Sequence, residues 1–283
     1  MALDHSIIGK RSEPMLHAYE ARDTILYALG CGAKKSELDY LYEGKGPKVL
    51  PSFAVVPMFE PMFRQLSATG ADLAMVVHGS QTVRIHKPFA PNGKVLTTSV
   101  VRGIYDMRKW ATIIFDMETK DESGTLIAEN SAQIIVRDAG GFGGSPVPKD
   151  ENPAPKPKDK ERQPDFVEEE LTSPEQALLY RLSGDRNPLH ADPDFAAKVG
   201  FEQGPILHGL CTFGYMVRHA AKGMAGGDPS KLSGFCAPFR RPVWPGDTIV
   251  TKGYKVTDKA YALEVSVKER PEAVIIGGWA TLA

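Results

Sequence analysis

The chain has 283 residues, 42% of them apolar and 24% charged, with 34 basic against 35 acidic side chains and a net charge of -1. That length allows one large domain or two modest ones, and the balanced charge excludes a general nucleic-acid binder, though not a local basic patch. The three cysteines, Cys31, Cys211 and Cys236, are odd in number and widely spaced. They argue against a disulfide framework or a CxxC zinc site and for a reducing compartment.

The opening MALDHSIIGKRSE has no apolar core of the secretory type. No later run approaches the ~20 apolar residues of a membrane span. The segment Thr24 to Tyr42 reads as a turn followed by a short helical stretch. Next, AVVPMFEPMFRQL is apolar and helix-like, and Pro57 and Pro61 predict a kink or break in it. From His78 onward, HGSQTVRIHKPF, KVLTTSVVRGIYD, KWATIIFDMETKD and TLIAENSAQIIVRD are rich in β-branched residues and separated by turn signals. They predict successive antiparallel strands.

Gly140 to Gln163 is dominated by glycine, proline, lysine and acidic residues, which predicts an extended linker. After it come TSPEQALLYRLSG, a polar motif, and ILHGLCTFGYMVRHAAKGM, whose apolar residues recur at helical spacing. Strands then return to the end of the chain. The two halves share letters as well as order: Tyr27-Ala28-Leu29 matches Tyr180-Arg181-Leu182 at an offset of 153, and Lys87 to Pro91 matches Arg241 to Pro245 at 154. This predicts an internal duplication of one α+β unit, each a curved antiparallel sheet wrapped around a central helix. The expected divisions are 1–137, a linker at 138–165, and 166–283.

The polar motif YRLSGDRNPLH holds the chemistry. Gly184 permits a tight turn before Asp185, and Pro188 holds Asn187 extended. A carboxylate and an imidazole, Asp185 and His190, delivered from one bent loop can share a water molecule, as general acid–base catalysis requires. Asp and Asn are also common turn residues, and that structural reading competes about evenly with a catalytic one for the motif taken alone. The offset of 153 places Gly32, Lys34 and Glu37 opposite Asp185, Asn187 and His190, so the first copy lacks the acid–base set. Asp192-Pro193 reads as a helix N-cap with proline at the first helical position, and Gly200 as its C-terminal stop. His208 reads as a packing histidine at a helix start, with no HExxH and no carboxylate at ligand spacing. Gly209 leaves an accessible N–H at a helix N-terminus, where developing negative charge is favoured. Cys211 reads as an inert core thiol.

The motifs YRLSGDRNPLHADPDFA and PILHGLCTFGY resemble the (R)-specific 2-enoyl-CoA hydratases of the hydratase 2 type, within the MaoC-like dehydratases. YALGCGA, Tyr42-Glu43-Gly44, HGSQ at 78–81 and GGFGG resemble the companion domain and linker of the eukaryotic form. The resemblance implies an α+β double hotdog fold and reversible hydration of trans-2-enoyl-CoA to (3R)-3-hydroxyacyl-CoA. It implies Asp185 and His190 as the catalytic pair, Asn187 positioning the water, and the Gly209 N–H as the oxyanion contact. His78, Gly79, Arg186 and Phe239 would lie along the substrate, and Glu43 would give structural support. Eukaryotic members place a basic residue near Asp106; here Met107 stands at that point, followed by Arg108 and Lys109 as candidate grips on coenzyme A phosphates.

No metal or redox cofactor is expected, coenzyme A being part of the substrate. The expected partner is an acyl-CoA thioester, with no nucleic acid and no membrane span; a homodimer is compatible. The resemblance suggests a peroxisomal location, against a cytoplasmic one, although the chain ends Thr281-Leu282-Ala283 rather than in a Ser-Lys-Leu address. Residue types do not assign acid and base; neutral imidazole near pH 7 favours His190 as base. An acyl-carrier-protein dehydratase, a hotdog thioesterase and a non-catalytic acyl-binding module are the alternatives.

Overall fold

The computed structural model describes residues 3–149, 155 and 162–283, so much of the expected linker, at 150–154 and 156–161, lies outside the described residues. In chain order the elements are β1 (Met15–Tyr19), α1 (Ala21–Gly30), α2 (Leu38–Leu41), α3 (Val55–Ala68), β2 (Val76–Ile85), β3 (Gly93–Asp106), β4 (Trp110–Asp121), β5 (Leu126–Arg137), β6 (Phe166–Leu171), α4 (Gln176–Tyr180), α5 (Pro193–Lys198), α6 (Gly209–Ala225), β7 (Leu232–Pro238), β8 (Thr248–Thr257), β9 (Ala260–Val267) and β10 (Arg270–Leu282). They form two compact units. One comprises Met1–His17, Ala54–Lys87 and Lys94–Pro153; the other comprises Ala18–Phe53, Pro88–Gly93 and Ala154–Ala283. The segment Ala18–Phe53 therefore belongs with the C-terminal half of the chain.

In the first unit the strands follow the order β1-β3-β4-β5-β2, with β3, β4, β5 and β2 paired antiparallel. Alternation sets the buried face: Ala128, Asn130, Ala132, Ile134 and Val136 of β5 point inward, two residues apart. Helix α3 buries Val55, Met58, Met62, Gln65 and Leu66, the stripe expected of a helix packed on one side. The predicted break in this helix does not occur. Pro57 falls at its third residue, where the N–H has no intrahelical partner in any case, and Pro61 removes one backbone bond. Burial of Met58 and Met62 compensates. Gln65 bridges the helix to its surroundings, accepting from Ser99 Oγ at 2.9 Å and donating to the Lys10 carbonyl at 2.8 Å.

In the second unit the order is β7-β10-β9-β8-β6, again antiparallel. Helix α6 has 17 residues, and from Leu210 to Ala221 every one is buried. A helix buried all round needs cover on every side. The sheet supplies part of it, and the segment Ala18–Phe53 supplies more. Cys211 Sγ lies 3.2 Å from the Gly30 carbonyl, and Gln176 Nε2 donates to the Leu29 and Gly30 carbonyls at 3.0 and 2.7 Å. Gly214 is required at this crossing, because a Cβ there would sit 2.2 Å from Cys31 Sγ.

The same crossing buries a charge. Arg218, fully buried in α6, donates to both carboxylate oxygens of Glu37, at 3.0 and 2.8 Å, and to Glu170 on β6. Burial would raise the Glu170 pKa, but the His219 hydrogen bond and the Arg218 charge hold it down at about 2. Glu37 is the residue that the sequence offset aligns with His190, so the first copy of the motif supplies an ion-pair partner for the second unit.

Candidate active site

After α4 the chain makes a single 3-10 turn and reaches Gly184, whose φ of +135° lies in the range that favours glycine. Asp185 Oδ1 accepts from the Asn187 N–H at 3.1 Å, and Asn187 Oδ1 accepts from the Leu189 N–H at 3.0 Å. Asn187 is extended at φ -54° and ψ 126°, as a residue before proline must be, and residues Pro188–His190 form a second 3-10 turn. Each polar residue of the motif thus does local work in the turn. That work occupies one oxygen of Asp185 and the amide oxygen of Asn187; the second carboxylate oxygen and the Asn187 amide group take no part in it.

His190 is buried, and its Nδ1 lies 2.8 Å from the Ile206 carbonyl. A carbonyl only accepts, so Nδ1 carries the proton and Nε2 of the neutral ring is the basic nitrogen. His208, the N-cap residue of α6, lies beneath it with ring centroids 3.7 Å apart, and its Nε2–H donates to the Asp185 main-chain carbonyl at 3.1 Å. Burial lowers the His190 pKa, against the opposing pull of the Asp185 charge and the Ile206 carbonyl. Burial, then repulsion from a charged His190, sets that of His208 well below the usual histidine value. Both rings are held neutral.

One ligating atom from each of Asp185, His190 and His208 lies within 4.8 Å of the other two. The absence of a carboxylate at ligand spacing in the sequence does not carry over to three dimensions, because folding brings Asp185 beside His208. In residue type the trio could hold a divalent cation as well as share a water. Gly209 follows at once, as the first residue of α6, where the helix cannot satisfy the first-turn N–H groups. A Cβ at Gly209 would meet the Phe239 ring at 3.5 Å, ordinary contact distance, so Phe239 borders the N-terminus of α6.

The remaining sequence candidates are spread over both units. Arg186 is exposed on the motif loop, and Glu43 is exposed in a 3-10 turn at Glu43–Lys45. His78 and Gly79 lie on β2 of the first unit, at a register shift against β5. Burial lowers the His78 pKa to about 4. Arg108 and Lys109 are exposed in the turn between β3 and β4. There the Asp106 carboxylate accepts from the N–H groups of Arg108, Gly141 and Gly143 at 2.8, 2.8 and 2.7 Å, pinning the glycine-rich start of the linker. The expected Asp192 cap is present, accepting from the Asp194 and Phe195 N–H groups, with Pro193 first in α5.

His208 packs and hydrogen-bonds at a helix start as expected; the groups it meets, His190 and the Asp185 carbonyl, escaped the sequence. A cavity of about 470 Å³ reaches His190 from walls that include Trp244 and Arg270, which no motif connects to it.

A sheet-wrapped helix in each unit, with Asp185 and His190 beside the N-terminus of one of them, defines a double hotdog protein. The chain belongs to the MaoC-like dehydratases: residues 156–275 match the MaoC like domain, and residues 17–138 match the MFE-2 hydratase 2 N-terminal domain. It is 37% identical over 285 residues to 3-hydroxyacyl-thioester dehydratase Y of Mycobacterium tuberculosis, covering 98% of this chain and 96% of that one. It is 35% identical to the peroxisomal enoyl-CoA hydratase 2 of Arabidopsis thaliana, covering 92% of this chain and 89% of the relative. Among solved structures, a MaoC-like dehydratase from Phytophthora capsici superposes with a TM-score of 0.88 at 31% identity, covering 100% of this chain and 98% of the other. The full-length peroxisomal multifunctional enzyme type 2 of Drosophila melanogaster superposes with a TM-score of 0.83 at 32% identity, and this chain spans 48% of its length.

Proposed function

We propose that the chain hydrates trans-2-enoyl-CoA reversibly to (3R)-3-hydroxyacyl-CoA in fatty acid metabolism, with Asp185 and His190 as the reacting pair. The observation that carries this reading is the approach of the Asp185 carboxylate and the His190 imidazole beside the first residue of α6. Water held between them, with Asn187 orienting it, lies within reach of C3. His190 Nε2 takes a proton as the water oxygen bonds C3. The π electrons of the C2–C3 bond move toward the thioester oxygen, where the Gly209 N–H meets the growing charge. C2 then takes a proton back from the pair and the carbonyl re-forms. Delivery from one side makes the addition syn. In reverse the same groups remove water, as the name of the dehydratase relative describes for that protein.

Coenzyme A is the substrate's handle. Arg186, Phe239, His78 and Gly79 are proposed to lie along the acyl-CoA, and Arg108 and Lys109 to grip its phosphates. Glu43 is assigned a supporting role. Gly32 at the position matching Asp185 cannot accept a proton, so one site per chain is expected, with the first unit serving the acyl tail. Since α3 runs unbroken, that last role rests on the duplication with one degenerate copy and not on an interrupted helix. Activity across C4, C10 and C16 substrates, with a bulky substitution at Met58, tests it: loss confined to the long chains supports the role, and equal loss at all lengths refutes it. Relatives named peroxisomal suggest that compartment here, which a fluorescent fusion of the full chain would check. No helix among the described residues is long and apolar enough to cross a membrane.

The decisive experiment is hydration of crotonyl-CoA with analysis of the product. The (3R) alcohol should form, and coupling to an (S)-specific 3-hydroxyacyl-CoA dehydrogenase should give little signal. Release of free thiol would make the protein a thioesterase. Turnover restricted to acyl-carrier-protein thioesters would make it the corresponding dehydratase.

A further inference from the structure

The cavity behind His190 plays no part in the mechanism above. It measures about 470 Å³, and its lining includes His190 but neither Asp185 nor Gly209. Of the groups the mechanism uses, His190 alone lines it.

Its lining is polar without a net charge. Arg270 donates to both oxygens of Asp247, at 2.8 and 2.5 Å, and its guanidinium lies 4.8 Å over the Trp244 ring. The pair cancels its own charge, so the lining has no free cation for a phosphate or carboxylate. Gln203, exposed at the rim, adds a further donor and acceptor. A water needs about 30 Å³ of liquid volume and two or more polar partners. The cavity meets both conditions, in its volume and in the polar lining residues Gln203, Asp247 and His190.

We propose that this cavity is a water port, through which the water added to or removed from the substrate reaches and leaves His190 while the thioester occupies the Gly209 side. The proposal rests on the hydration reading with His190 in the site. Each forward turnover consumes one water and each reverse turnover releases one, so a chain-filled substrate path gives the water reason to have its own. Leu178 and Gln203 set the width of the port from its exposed side. Leu178 is 50% exposed, so a larger side chain there does not disturb the core.

The test follows oxygen. (3R)-3-hydroxyacyl-CoA labelled with ¹⁸O at C3 is incubated with the enzyme in ordinary water. Enoyl-CoA release is followed by absorbance, and label remaining in the substrate by mass spectrometry. In the unaltered protein, label should be lost faster than enoyl-CoA is released, because the detached water exchanges through the port before the thioester leaves. Leu178→Trp and Gln203→Trp should each lower the ratio of label loss to enoyl release several-fold. Leu182→Trp, exposed on the turn after α4 and outside the cavity lining, should leave the ratio unchanged. The port is refuted if the unaltered protein shows no excess label loss, or if both tryptophan variants keep its ratio. It is also refuted if they raise the KM for enoyl-CoA at a constant ratio, which would make the cavity a thioester site. Failure of the underlying reading shows separately, as full activity in His190→Gln.

Discussion

The rings of His190 and His208 stack with centroids 3.7 Å apart and planes 25° apart, while the His208 Nε2–H holds the main-chain carbonyl of Asp185. One side chain thus touches both Asp185 and His190. Its own backbone leads directly into Gly209, so the same residue also ties the Asp185–His190 loop to the start of α6.

If this pair performs the chemistry, Asp185→Asn and His190→Gln should each lower kcat by about 10²–10⁴-fold, the usual worth of general acid–base catalysis. Substrate binding should persist, because neither change alters the walls of the site. The pH dependence carries a sign. Burial lowers the His190 pKa, so the ring remains a neutral base below the ordinary histidine value of about 6.5. The acid limb of kcat/KM should accordingly fall below that pH; a limb displaced to higher pH would contradict the assignment.

Gly209→Pro isolates the oxyanion contact. Proline is accepted at the first position of a helix, and His208 already has the φ of -58° and ψ of 137° that suit a residue before proline. The substitution removes the N–H and leaves the helix in place. It should lower kcat by about 10²–10³-fold, as loss of one oxyanion donor does, with circular dichroism unchanged. Gly209→Ala keeps the N–H and should retain most of the activity. Equal activity of the two variants would remove Gly209 from the mechanism.

Acid should destabilise the protein partly through His78. Its folded pKa is about 4, depressed by burial, against about 6.5 in an unfolded chain. Between these values the unfolded state binds the extra proton, so stability is full above pH 6.5 and falls as pH drops toward 4. His78→Gln should flatten the dependence of Tm on pH across that window. An unchanged slope would show that His78 does not carry the linkage.

Arg218→Met should cost about 3–5 kcal/mol, because it leaves Glu37 and Glu170 without their buried cation. Adding Glu37→Gln and Glu170→Gln should recover much of the loss in chemical denaturation. A single variant as stable as the unaltered protein would mean that the pair's attraction never exceeded its desolvation cost.

What the chain by itself determined is short-ranged. The strand meanders follow from β-branched alternation and turn residues. The bend at Gly184–Asp185, the extended Asn187 and the Asp192 cap follow from backbone sterics within three or four residues. The closeness of Asp185 and His190 was legible too, since five positions on one loop separate them. Tertiary structure decided the rest. Pro57 and Pro61 argued locally for a kinked or broken helix, yet the helix runs on through both, with Met58 and Met62 buried. Glu37 read only as the remnant of a lost site, until burial of Arg218, 181 positions away, made it an ion-pair partner. His208 was legible as a histidine that packs and hydrogen-bonds at a helix start, but its partners, His190 and the Asp185 carbonyl, lie 18 and 23 residues upstream and were not. Local dihedral preferences act over a few residues, whereas partners so far apart in sequence are chosen only when burial of apolar surface brings their elements together.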